Sequence, residues 1–236
     1  MAVELGPGPA SMAGLAWLAR VGPTAVDAWR CAMGWGQRAA RSHAMRLQRE
    51  GWLARYPMTR GDGSLLIATK RGVLVSGLYV AASSEPRPTW WAHHRACAWT
   101  AAWFTAVGAN WQGPREVLAD AGLCLELEWH AHTNWRQGSG WRSARHRPNL
   151  TVVSDVGLTV VEVDLQAKSS KRRIAVLKHY RDWISEERIG GVIYVCATTT
   201  GRERIGSDAD SAYFNTKRLR TMLLSAVRAR AVGEAT

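Results

Sequence analysis

A chain of 236 residues, 47% of them apolar, is long enough to bury one large core or two modest ones and too apolar to stay disordered. Its formal charge of +12 and isoelectric point near 10.3 favour a polyanionic partner. No run reaches the roughly 18 apolar residues of a membrane span, and the start MAVELGPGPA has neither the basic region nor the apolar core of a signal peptide, so the expectation is a cytoplasmic protein without a membrane partner.

In chain order, residues 1–11 read as a loose Gly/Pro arm. Leu15, Leu18 and Ala19 at helical spacing predict a first helix ending at Gly22, and Pro23 opens a second that runs to about Met33. After the turn at residues 34–36, residues 37–50 (QRAARSHAMRLQRE) predict a third helix. At 100° per residue Ala40, Ala44 and Leu47 fall on one side, while Arg38, Arg41, Ser42, Met45 and Arg49 gather on the other. The first carboxylate is Glu50, so the outward face is a nearly unbroken stripe of guanidinium groups. Alone, such a face is as easily a solvated basic surface.

The residues beyond Glu50 give this helix a context. Two short apolar runs around residues 60–63 predict a hairpin with a basic tip, and a further helix is expected over about 69–78. Helix, helix, turn, helix, hairpin is the order of a winged helix-turn-helix, in which the third helix enters the major groove of double-stranded DNA and the wing lies on phosphates. Residues 12–80 are expected to form that domain. Arg38, Arg41, Ser42, Met45 and Arg49 then face the groove, and Arg60, Lys70 and Arg71 meet phosphate.

Residues 81–89, AASSEPRPT, read as a linker. Beyond it, residues 90–236 alternate between elements: a helix from Trp90, a strand over 123–132 with alternating leucines, and a glycine-rich loop carrying Trp135 and Trp141. Next come strands at 149–153 and 158–164, a helix over 170–185, a strand at 191–197 and a basic terminal helix over about 213–230. The fold class is mixed α+β or α/β, a sheet flanked by helices. Leu219, Met222, Leu223 and Ala226 on the terminal helix would supply a homodimer interface or cover the sheet, and the acidic stretch 207–211 would cap that helix. The separated cysteines suggest neither a disulfide framework nor a zinc site, and the alternating His130 and His132 lack a third ligand at recognisable spacing. Tyr180 and Tyr213 read as core residues.

The segment HRPNLTVVSDVGLTVVEVDLQAKSSKR puts Glu162 and Asp164 two apart on a strand, hence on one face, with Lys168 close behind. Here the chain resembles the PD-(D/E)XK nucleases, in particular the replication-relaxation proteins of plasmids and other mobile elements. The likeness runs through the arginine-bearing helix, His94, Trp111 with PREVL, His146-Arg147-Pro148, the Glu162/Asp164/Lys168 strand end and Lys178-His179-Tyr180. The resemblance implies a winged helix joined to a restriction-endonuclease-like sheet, with Asn149, Glu162 and Asp164 about a Mg²⁺ ion and Glu162, Asp164 and Lys168 as catalytic residues if the site is active. Asn149 stands where the family has aspartate, and Lys168 is displaced from the acid-x-lysine pattern. The expectation is therefore a DNA-binding protein in transcriptional control or replication-origin assembly, its nuclease-like half non-catalytic and needing no cofactor. The alternative is a Mg²⁺-dependent DNA endonuclease or relaxase-like nicking enzyme.

Overall fold

The structure, a computed structural model, describes residues 7–58, 63–132, 139–165 and 169–234, with side chains left aside for residues 129–142. The fold is mixed α+β.

Helix α1 (Pro9–Val21) starts inside the segment expected to be a loose arm, because Pro9 occupies its first turn, where a missing N–H costs nothing. The second expected helix divides. Thr24–Ala25 form a short strand β1, and only Val26–Ala32 are helical (α2). Pro23 leads into extended backbone here, and Thr24 pairs with Leu66 across a sheet. Helix α3 (Gln37–Arg49) buries Ala40, Ala44 and Leu47 as the spacing predicts. Strands β2 (Leu53–Pro57) and β3 (Ser64–Ala68) pair antiparallel, so the sheet order is β1-β3-β2. The hairpin tip, with Arg60, lies outside the described residues.

Helix α4 (Lys70–Val75) is capped by the Thr69 hydroxyl, which accepts from Gly72 N at 3.1 Å and donates to Gly51 O at 2.8 Å. A Cβ on Gly72 would stand 2.1 Å from the Trp52 carbonyl oxygen, so backbone meets backbone there. Gly72→Ala is expected to cost about 1–3 kcal/mol by overpacking, read as a fall in Tm. Gly206→Ala, whose Cβ meets nothing within 4 Å, is the control and should not lower Tm.

After the connector, α5 (Trp91–Ala106) buries every residue from Ala96 to Phe104. A helix apolar on all sides belongs in the middle of a molecule. One side of α5 meets α2 and β1; the other meets the main sheet and α9 (Leu224–Ala231). That sheet has the order β10-β9-β8-β7-β4, built from β4 (Trp111–Gln112), β7 (Leu150–Ser154), β8 (Gly157–Asp164), β9 (Gly191–Cys196) and β10 (Leu219–Leu223). The strands β8, β9 and β10 run parallel, and β7 and β4 join antiparallel. Two crossover helices, α7 (Ser170–Ser185) and α8 (Thr199–Ser211), pack with the hairpin β5 (Leu125–His132) and β6 (Ser139–His146) on the face opposite α5. A short helix α6 (Pro114–Ala119) closes the edge near α1.

One apolar cluster runs without a break from Leu15 and Leu18 through Trp99 and Phe104 to Val161 and Val195. Polar ties cross the same boundary. Trp17 Nε1 donates to Thr105 Oγ1 at 2.9 Å, and Arg20 pairs with Glu116 at 2.8 Å while lying 4.1 Å over the Trp111 ring. The stretches before and after residues 81–89 therefore share a core.

Three further expected elements differ. Residues 139–146, read as the end of a glycine-rich loop, are strand β6, because its whole length pairs with β5. The terminal helix is interrupted: Leu219–Leu223 are an edge strand parallel to β9, and the helix begins at Leu224. Leu219, Met222, Leu223 and Ala226 thus form no continuous helical stripe. The acidic stretch belongs to α8, a helix that the glycines at 201 and 206 conceal, and its Asp208 is buried.

Candidate functional site

Every residue expected on the outward face of α3 is exposed: Arg38, Arg41, Ser42, Met45 and Arg49, with Met45 at 68%. Arg46 joins them, a sixth position outside the expected set. Among the described residues Arg38, Arg41 and Arg46 have no carboxylate partner, and Arg49 stands only 3.8 Å from the neighbouring Glu50. The helix is held from behind. His43 stacks on Trp35 with centroids 4.1 Å apart, and its Nδ1 lies 2.8 Å from Ser11 Oγ on α1. Burial, then the positive charge of Arg46, hold the His43 pKa below its ordinary value. A neutral ring here adds no charge behind a basic face.

Arg41 and Met45 also line a groove of about 300 Å³ that leaves α3 and passes Arg55 of β2, Arg95 of α5 and Arg228 of α9. The Arg228 guanidinium rests 5.1 Å over the Trp99 ring. Asp27 is the acid in this lining, and it faces Arg30 at 3.9 Å. Sequence reasoning misses Arg55, Arg95 and Arg228, since they come from three separate elements. Only Arg55 carries a signal, as an outward position on an alternating strand. Lys70 and Arg71 are exposed at the start of α4. Arg71 turns toward the carboxy-terminal end of α3, where its Nη1 donates to Glu50 O at 3.4 Å and its guanidinium lies 5.8 Å over Trp52.

Glu162 and Asp164 do share one face of β8, the face toward α7, but that face is interior. Glu162 is fully buried. The His146 Nε2–H donates to Glu162 Oε1 at 2.7 Å and the Tyr180 hydroxyl donates to the same oxygen at 2.5 Å. Burial, with the carboxylate beside it, pushes the Tyr180 pKa well above its ordinary value, so the phenol stays a donor. Asp164 lies 3.8 Å from Arg173 Nη1, and Arg173 Nε donates to Asp208 Oδ2 at 2.5 Å. The Ser170 hydroxyl donates to the other oxygen of Asp208.

Asn149 is turned away from this cluster. Its Oδ1 accepts from Val163 N at 2.7 Å, and its Nδ2 stands 3.1 Å from His93 Nε2 on α5, the helix across the sheet from α7. The expected grouping of Asn149, Glu162 and Asp164 about Mg²⁺ is therefore not what the fold builds. The acids serve as acceptors for a histidine, a tyrosine and an arginine, whereas Mg²⁺ needs oxygen ligands open to it and to water. Among the described residues no three His, Cys, Asp or Glu side chains come together as a metal-binding group. Lys168 lies outside the described residues, as does most of the loop before β6. Tyr180 is a core residue as expected, whereas Tyr213 is 84% exposed.

His94, in the first turn of α5, is partly buried, and burial with the charges of His93 and Arg115 brings its pKa from 6.5 to about 4. The unfolded chain thus binds a proton near pH 6.5 that the folded chain refuses until about pH 4. Stability falls across this window as the pH drops, by up to about 3 kcal/mol. Urea unfolding of His94→Gln between pH 7 and 4 should show that much of the slope removed; an unchanged slope contradicts the assignment.

Comparison with protein-family models gives no match, and comparison with curated proteins gives none either. Among solved structures, protein VC1899 from Vibrio cholerae aligns with 94% of this chain and 49% of its own length, at 12% identity and a TM-score of 0.32.

Proposed function

We propose that this chain is a double-stranded DNA-binding protein of a mobile element or its descendant, in which residues 12–80 act as a winged helix-turn-helix and α3 is the recognition helix. The observation that carries the reading is the carboxylate-free arginine face of α3, which continues through the groove into Arg55, Arg95 and Arg228. Guanidinium groups pair bidentately with guanine and with phosphate, and a stripe of them on one helix suits a major groove flanked by two backbones. The arginines of α5 and α9 then extend the contact to phosphates beyond the groove, so the second half assists binding.

In this reading residues 90–236 are a nuclease-like scaffold that does not cleave, and the protein works in transcriptional control or in assembling a replication origin. The engagement of Glu162 by His146 and Tyr180, and of Asp164 by Arg173, supports a structural role for both acids. The test is duplex binding measured across salt concentration. Counterion release predicts a linear fall of log K with log salt, with a slope near 0.9 per phosphate neutralised. Affinity that is negligible or indifferent to salt overturns the proposal. Selection of bound fragments from random DNA should return an inverted repeat if two copies occupy paired half-sites, and nicking of a plasmid carrying that site in Mg²⁺, abolished in Glu162→Ala, would overturn the non-catalytic assignment.

A further inference from the structure

Away from the α3 face lies a second basic cleft, of about 490 Å³, where the connector passes between the end of α1, the start of α5, α6 and the turn before β7. Its cationic lining is Arg87, Arg115 and Arg147, beside a neutral His94, and the carboxylate among the lining residues is Glu85, exposed on the connector. The arginines are in different states. Arg115 is committed to the connector, donating to Ala81 O at 2.6 Å from Nη2 and 3.1 Å from Nε. Arg147 has its Nε buried with no hydrogen-bond partner among the described residues. A buried guanidinium donor left unmatched is unfavourable, and an acceptor drawn into the cleft would relieve it. Arg87 is exposed, with no carboxylate partner among the described residues.

The cleft is not only basic. Trp90 lines it with 53% of its surface open, its ring braced edge-on by His93 at 5.6 Å and 80°, and Leu118 and Pro114 add apolar wall. Size, an open indole and two uncommitted guanidinium groups are the features of a pocket for a small, flat, phosphorylated ligand. We propose that this cleft binds a nucleoside phosphate, with Arg87 and Arg147 on the phosphate and Trp90 stacked on the base. The ligand is either a free nucleotide or the phosphorylated end of a single strand, which present the same groups.

Isothermal titration calorimetry on the full chain tests this with ADP, inorganic phosphate, and an eight-nucleotide deoxythymidine strand with and without a 5′-phosphate. ADP, or the phosphorylated strand in preference to its dephosphorylated twin, should bind at least about tenfold more tightly than inorganic phosphate; which of the two it is identifies the source. Arg147→Gln and Arg87→Gln should each weaken binding about tenfold. Because Arg87 is exposed, its variant tests the cleft even if Arg147→Gln fails to fold. Trp90→Ala should weaken ADP and leave inorganic phosphate unchanged, and Arg41→Ala on α3 should leave both unchanged. Absence of heat from both ADP and the phosphorylated strand, or binding indifferent to Arg87→Gln and Trp90→Ala, overturns the proposal.

Discussion

Replacing Arg173 by methionine is expected to destabilise the protein by about 3–5 kcal/mol, a large fraction of the stability of an ordinary domain. Arg173 is only 5% exposed and stands between two carboxylates, Asp164 at the end of β8 and Asp208 on α8. Methionine fills much the same space and removes the charge. Two buried acids then lose the cation that stands between them, and the penalty is that of weakened charge compensation, larger than that of a lost packing contact. The effect reaches three elements at once, since the arginine on α7 holds both a strand end and the following crossover helix.

The measurement is thermal and urea unfolding. Adding Asp164→Asn and Asp208→Asn to Arg173→Met should return at least half of the lost stability, because the repelling charges go with the cation. A single Arg173→Met variant with wild-type Tm would show that the triad is not what anchors α7 to α8.

How much of the fold is legible in the sequence depends on whether an element carries its own period. Helix α3 is readable to within a residue because Ala40, Ala44 and Leu47, at helical spacing, are the residues it buries. The strands β7, β8 and β9 and the crossover α7 are equally plain, as β-branched runs with a helix between them. Strand β10 is not, since Leu-Arg-Thr-Met-Leu continues into LSAVRARA and reads as one basic helix; pairing with β9 decides its conformation. Strand β6 is hidden in the same way, its glycine-rich start suggesting a loop when β5 supplies the partner.

The site obeys the same rule. The exposed arginines of α3 share one helix and can be read from its period, whereas Arg55, Arg95 and Arg228 meet only in the folded chain. Glu162 and Asp164 are visible as a pair, but the cation described beside Asp164 is not one of the three nearest in sequence, Lys168, Lys171 and Arg172; the arginine that turns inward is the next one, Arg173, one step round the helix. His146 and Tyr180 lie 16 and 18 residues away from Glu162 along the chain, and no spacing rule reaches that far. Asn149 stands where the resemblance would place an aspartate, and its side chain completes a strand end.

The second large effect concerns the arginine face. Arg38, Arg41 and Arg49 are exposed and carry no core contact, so replacing all three by alanine should leave Tm nearly unchanged while removing the three contacts to DNA that we propose. Each contact of this type is worth roughly 1–3 kcal/mol, and phosphate contacts add a salt-dependent part of about 0.9 each to the slope. Even with partial compensation by Arg46, Arg55 and Arg228, the combined loss should reach at least about 100-fold in duplex affinity near 0.1 M salt. Loss of affinity together with loss of Tm would instead point to a packing role for α3.

The most direct measurement is therefore fluorescence anisotropy of a labelled duplex titrated with wild type and with the triple variant Arg38→Ala, Arg41→Ala, Arg49→Ala, repeated at several salt concentrations. The account predicts steeply salt-dependent binding by wild type, and a variant at least about 100-fold weaker with a slope shallower by up to about 3. Equal affinity and equal slope for the two proteins would contradict it.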